Sequence, residues 1–157
     1  MKKLALLFAG LSLFAATGCN NDDETPMEYP IVGTWQPMKV VVTTVPIGDD
    51  PVSDAITFDS NCQKTSRWVF AAAGAGKRTD NGEGTSPGTC QPVFDRTFSY
   101  TYDKDTKAIQ IKYQGVVEAD KGSVITLNDT TLNIKIEDTS DPTEYQSKTY
   151  TLKRIPQ

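Results

Sequence analysis

Three cysteines and no histidine bound the chemistry open to this 157-residue chain. Without an imidazole, the usual general base near neutral pH is missing, and Ser-His-Asp and Cys-His arrangements are excluded. The commonest zinc ligand is missing with it. A hydrolase would have to work with carboxylates or lysine. The carboxylates that lie close together are Asp49, Asp50 and Asp54, and separately Asp103 and Asp105. Neither group carries the ligand series ending in a bidentate glutamate that a calcium loop needs, so both read as solvated turns. Gly74-Ala75-Gly76-Lys77-Arg78-Thr79 departs from a phosphate loop twice: Ala71 stands where the first glycine belongs, and Arg78 follows the lysine directly. That stretch reads as a turn. The expectation is no catalytic residue, no metal, no cofactor and no enzymatic activity.

The formal net charge is −4 and lysine and arginine form no cluster. Phosphate neutralisation supplies most of the affinity for nucleic acid, so nucleic acid is not an expected partner. The chain begins Met1-Lys2-Lys3, continues with an apolar stretch from Leu4 to Ala16, and reaches Cys19 through small residues, Ala16-Thr17-Gly18. Residues 1–18 therefore read as a secretory signal, since the apolar run is too short to span a bilayer. With a cysteine next, the start resembles a bacterial lipoprotein signal, although Ala16 stands where a large aliphatic residue is usual. The resemblance implies that Cys19 is acylated and becomes the first residue of the mature chain. The implied partner is then the membrane, and the implied place is the cell envelope, as an outer-membrane lipoprotein, periplasmic or surface-exposed.

Residues 19–30 are acidic and proline-bearing, and read as a flexible tether. Asp22-Asp23-Glu24 resembles the export signal of surface-displayed Bacteroidetes lipoproteins; a solvated linker is the alternative. If Cys19 carries lipid, Cys62 and Cys90 remain in a compartment that permits disulfides. A structural bridge is expected, contributing about 3–4 kcal/mol in the chain-entropy model. The alternative, a reactive thiol pair, calls for a close spacing such as C-x-x-C.

From Ile31 onward the elements that must position these residues read as β. Gly33 to Val45 forms a long first strand, and Asp54 to Ser60 either a short strand or a turn of helix. Ser66 to Ala71 alternates Trp68 and Phe70 against Arg67 and Val69, and Asn81 to Pro92 reads as a loop. Val93 to Tyr102 puts Phe94, Phe98, Tyr100 and Tyr102 on one face. Lys107 to Gln114 does the same with Ile109, Ile111 and Tyr113, Thr130 to Glu137 with Leu132, Ile134 and Ile136, and Glu144 to Ile155 with Tyr150 and Leu152. One wet and one buried face per strand means antiparallel pairing. About eight strands with hairpin-length links favour an all-β, up-and-down barrel over residues 31–157, because closure leaves no edge.

Gly33-Thr34-Trp35, the cysteine-flanked segment around Ser66-Arg67-Trp68-Val69-Phe70, and the ending Lys148-Thr149-Tyr150-Thr151-Leu152-Lys153-Arg154 together resemble the lipocalin-like domains of Bacteroidetes lipoproteins. The resemblance implies that Gly33, Trp35 and Arg154 close one end of the barrel, with Arg154 packed over Trp35. Arg154 as a receptor for a ligand anion is the sharper alternative. Asp129-Thr130-Thr131 is similar to an O-glycosylation site of Bacteroidetes envelope proteins.

The aromatic rows give the expected pocket wall: Trp68, Phe70, Phe98, Tyr100, Tyr102, Ile111, Tyr113, Ile134 and Tyr150. Small barrels also fill their interiors with such side chains, so a solid core is the alternative. The reading that results is a monomeric, non-enzymatic, lipid-anchored barrel that binds a small, largely apolar ligand. Its rival is a surface module with a filled core that binds a glycan or protein through the Pro46–Asp54 and Asn81–Pro92 loops.

Overall fold

A computed structural model describes residues 30–156. The expected signal, Cys19 and the tether apart from Pro30 lie outside the described residues. Nine strands follow in order: β1 (Gly33–Pro46), β2 (Val52–Thr57), β3 (Arg67–Phe70), β4 (Ala75–Glu83), β5 (Cys90–Tyr102), β6 (Ala108–Tyr113), β7 (Asp120–Leu127), β8 (Thr131–Asp138) and β9 (Glu144–Ile155). Every pairing is antiparallel.

Closure runs through β1. One edge of β1 takes β9 from Thr34↔Ile155 to Pro46↔Glu144. Its other edge is divided between β3, at Gly33 to Trp35, and β2, at Lys39 to Thr44. Strands β1 and β3 to β9 therefore form a closed eight-strand barrel, all-β as the alternation requires. Strand β2 is a ninth strand hung on the upper half of β1, with every residue exposed. That settles the choice left open for this segment in favour of a strand.

The alternation appears directly in burial. Strand β6 runs exposed–buried from Ala108 to Tyr113, burying Ile109, Ile111 and Tyr113. Strand β8 buries Leu132 and Ile134. In β1 the buried residues are Trp35 and Pro37 and then Val40, a change of parity that a bulge between Pro37 and Lys39 absorbs. Proline cannot donate to a ladder, which suits it to this irregular point.

The stretch Gly74 to Thr79, expected as a turn, enters strand β4 at Ala75, because residues 76–79 pair with β3 and 75–79 with β5. Two further sequence readings change. Half of the expected loop Asn81–Pro92 is strand: Asn81↔Pro92, Gly82↔Gln91 and Glu83↔Cys90 pair, which leaves residues 84–89 for the turn. Pro92 misled the reading because it sits beside a bulge between Asp80 and Asn81, where a missing N–H is tolerated. The second change concerns β3, which is only four residues long. Above it, the 3₁₀ turn Gln63–Thr65 takes the place of a strand against β4: Ser66 Oγ accepts from the Asn81 amide at 2.9 Å, and Asn81 Nδ2 donates to Thr65 Oγ1 at 2.8 Å. The Cys62–Cys90 disulfide, with Cα atoms 5.2 Å apart, ties this turn to the β4–β5 hairpin.

Candidate functional site

The barrel has a closed end and an open end. At the closed end Trp35 is fully buried and its indole N–H donates to the Ile31 carbonyl at 2.9 Å. The Arg154 guanidinium lies 4.0 Å from the Trp35 ring centroid and donates to the carbonyls of Val32 (3.0 Å) and Pro30 (2.7 Å). Register accounts for the contact, since Arg154 is the direct partner of Trp35 across β1–β9. Gly33 makes room: its φ is +149°, and a Cβ there would stand 2.5 Å from Arg154 Nη1. Arg154 is thus committed to the backbone and the indole at the closed end, away from the open end of the barrel.

Above this plug the interior is aromatic. Phe70 meets Phe98 at 5.3 Å and Tyr100 at 5.0 Å, both edge-on, and Trp68 meets Tyr150 at 4.9 Å. Phe98 meets Tyr113 at 5.6 Å, and Tyr113 meets Phe94 at 5.4 Å. Gly76 permits this packing, because a Cβ there would come within 2.2 Å of the Phe98 ring. Of the expected wall residues, Trp68, Phe70, Phe98, Ile111, Tyr113, Ile134 and Tyr150 are buried together, whereas Tyr100 and Tyr102 are half-buried. The Tyr100 hydroxyl donates to the Ala71 carbonyl at 2.9 Å, in the turn that leads into β4. In this part of the barrel the side chains fill the space between one another.

At the centre stands a residue that sequence reasoning passed over. Arg78 projects inward from β4, with its guanidinium carbon 4.4 Å from the Trp68 ring centroid, 4.8 Å from Phe94 and 5.1 Å from Tyr150. Asp80, buried on the same face two residues on, accepts from Arg78 Nε at 2.8 Å and from Nη2 at 2.6 Å, both on Oδ2. Its other oxygen accepts from the Trp68 indole at 3.3 Å, and Arg78 Nη1 reaches the Tyr113 hydroxyl at 3.4 Å. Burial opposes the charged guanidinium more than any other influence. The Asp80 hydrogen bonds, helped by Tyr150, Tyr113 and the Asp80 charge, outweigh it and hold the Arg78 pKa above its ordinary value. Burial likewise raises the Tyr113 pKa, so its phenol keeps its proton.

Arg78 and Asp80 escaped notice because the inward face of β4 reads Gly76, Arg78, Asp80, with no apolar residue to reveal its direction. The signal lay in the pairing. Trp68 partners Arg78 and Phe70 partners Gly76, so the inward parity of β3 carries over to β4.

Register sets the open end. Lys148 lies between Val42 of β1 and Ile136 of β8; Arg96, the direct partner of Arg78, is exposed and lies 5.6 Å from the Phe94 ring centroid. Val42, Phe94 and Ile136 pack against the core while remaining partly exposed. Burial raises the Asp120 pKa, Asp138 adds to the rise, and Lys148 and Arg78 oppose it. Strands β7 and β9 are separated by β8, so this influence of Lys148 on Asp120 acts across one intervening strand. Two clefts open on the surface. One, of about 320 Å³, is lined by Pro46, Ile47, Pro142 and Tyr145, and the other, of about 260 Å³, by Lys77, Asp95 and Gln114 among others. Among the described residues no three His, Cys, Asp or Glu side chains gather where they could share a metal ion.

The lipocalin-like domain family model matches residues 31–134. Among solved structures the chain is similar to lobster apocrustacyanin A1, at 9% identity and a TM-score of 0.48, covering 80% of this chain and 61% of that one. It is also similar to apocrustacyanin C1, at 10% identity and a TM-score of 0.50, over 85% of this chain and 66% of that one. A deswapped triple mutant of bovine odorant binding protein matches at 14% identity and a TM-score of 0.40, over 80% and 74%. The chain spans less than two thirds of the length of the two apocrustacyanins, and likeness at such low identity shows the fold alone. No curated protein matches the sequence. The family model covers more than half of the chain, in the part that builds β1 to β7 and the start of β8: the chain belongs to the lipocalin-like domain family.

Proposed function

We propose that the protein is a non-enzymatic, lipid-anchored member of this family that binds a small, largely apolar ligand at the cell envelope. The observation that carries the reading is Arg78, a charged donor at the centre of an aromatic interior and still 16% exposed. Ligand sites in barrels pair an apolar lining with a few placed polar groups, and this interior has that composition. Because the rings below Arg78 fill their own space, the ligand lies in the mouth, over Val42, Phe94 and Ile136, and not deep in the barrel. The lipoprotein-like start supports the anchor and the envelope location.

The test is displacement of an environment-sensitive fatty probe from the full chain carrying Cys19→Ser, which leaves it free of acyl groups. Saturable, displaceable binding at micromolar concentration is expected. Absence of displaceable binding removes the ligand. For the anchor, Cys19→Ser releases the protein from membranes in cell fractionation, and continued retention removes that part.

A second reading has its own support. The β1–β2 hairpin exposes Ile47, Val52 and Ile56 (75%, 61% and 53%), and Val93 on the β4–β5 hairpin is 66% exposed. A surface module would use these two hairpins for a protein or glycan partner. Pull-downs from envelope extracts with and without Ile47→Ser and Val52→Ser separate it from the first.

A further inference from the structure

We propose that the mouth of the barrel recognises a carboxylate head at the end of an apolar chain, through Arg78 and Tyr113. This deepens the small-ligand reading and rests on it. A guanidinium has five N–H groups. Arg78 gives Nε and Nη2 to a single oxygen of Asp80, and Nη1 makes only a long 3.4 Å contact with the Tyr113 hydroxyl. One N–H on each of Nη1 and Nη2 therefore has no acceptor among the described residues. Tyr113 accepts in its contact with Arg78, so its own hydroxyl proton remains to be donated, and the raised phenol pKa keeps that proton in place.

Two N–H groups on one planar fork match the two oxygens of a carboxylate, with the phenol as a third donor. The site is partly desolvated, which strengthens such bonds over their value in water. Charge permits the anion. Asp80 balances Arg78, Lys148 acts on both Asp120 and Asp138, and Arg96 is set against Phe94, so three cations meet three carboxylates and the ligand brings the additional negative charge to a mouth that is close to neutral. Val42, Phe94 and Ile136 then lie where the first part of an apolar chain would leave the head. Arg154, the other arginine set against an indole, is held at the opposite end of the barrel by the carbonyls of Val32 and Pro30 and by the Trp35 ring.

The experiment uses the full chain carrying Cys19→Ser. Dodecanoate, dodecanol and dodecyl phosphate compete against 11-(dansylamino)undecanoic acid. Dodecanoate is expected to bind about tenfold or more tightly than dodecanol, the size of a charge-assisted hydrogen bond. Tyr113→Phe, which removes only the hydroxyl, is expected to weaken dodecanoate about fivefold or more and to leave dodecanol unchanged. Equal affinity of acid and alcohol, or no response to Tyr113→Phe, overturns head recognition while the small-ligand reading stands. Preference for dodecyl phosphate overturns the carboxylate assignment. Failure of every ligand, the probe included, overturns both readings together.

Discussion

Asp80→Asn tests the centre of the interior. In the wild type, one carboxylate oxygen takes two N–H groups from Arg78 and the other takes the Trp68 indole N–H. Asparagine keeps the shape but has one acceptor oxygen, so either the guanidinium or the indole faces an amide NH₂. The charge that balances Arg78 also disappears. Breaking a buried ion pair from one side costs about 3–5 kcal/mol. Arg78 retains 16% exposure and three aromatic faces, each contributing about 0.5–2 kcal/mol, so the lower end applies. A loss of about 3 kcal/mol is a large part of the roughly 5–15 kcal/mol that holds a domain folded. Equilibrium urea unfolding, followed by tryptophan fluorescence, measures it. With a slope of about 1–3 kcal/mol per molar, the midpoint falls by at least about 1 M. The double variant Arg78→Met with Asp80→Leu is expected to regain most of the loss, since desolvation cost and attraction leave together. A loss below about 1 kcal/mol for Asp80→Asn would mean that water reaches the guanidinium freely, and the account of a desolvated arginine would be refuted.

Replacing Cys62 and Cys90 together by serine is expected to remove about 3–4 kcal/mol, and a melting temperature within a degree or two of wild type would count against it. The same change loosens the 3₁₀ turn that stands in for a strand beside β4, so the Asn81 amide should exchange hydrogen faster. Gly33→Ala places a methyl 2.5 Å from Arg154 Nη1 at a φ of +149°. It should displace Arg154, cost about 1–3 kcal/mol and expose Trp35 to acrylamide quenching. Asp120 has a pKa raised in the fold, by burial first and by Asp138 second. Its ionisation therefore disfavours the folded state as pH rises through that pKa. Asp120→Asn should melt higher than wild type at pH 7, and the two curves should converge below about pH 3.9, where the carboxyl is neutral in both states. A difference that persists in acid would point to packing instead of charge.

Much of the architecture was legible in the residues. Ile109, Ile111 and Tyr113, or Leu132, Ile134 and Ile136, alternate so regularly that strand type and facing follow from the two-residue period alone. The inward parity of Tyr150, Leu152 and Arg154 needed no coordinates, and neither did the candidacy of Cys62 and Cys90 for a bridge. Local pattern failed where a long-range partner decided the outcome. Pro92 and the glycines around it read as loop, yet Cys90 lies opposite Glu83 and the disulfide carries the pairing to that point. Strand β2 could be counted as a strand or a helical turn, but only its pairing with the upper half of β1 places it outside the barrel.

The composition of the chain settled that its strands are two-faced and that imidazole chemistry is closed to it, because side-chain direction and residue type are local properties. Which inward side chains meet is a different matter. Trp68, Phe94, Tyr113 and Tyr150 come from four strands between residues 67 and 155, and only closure of the sheet gathers them around one guanidinium. A buried charge is sustained by partners remote in sequence, so no local reading of Gly76, Arg78 and Asp80 could show that β4 supplies the polar centre of the barrel.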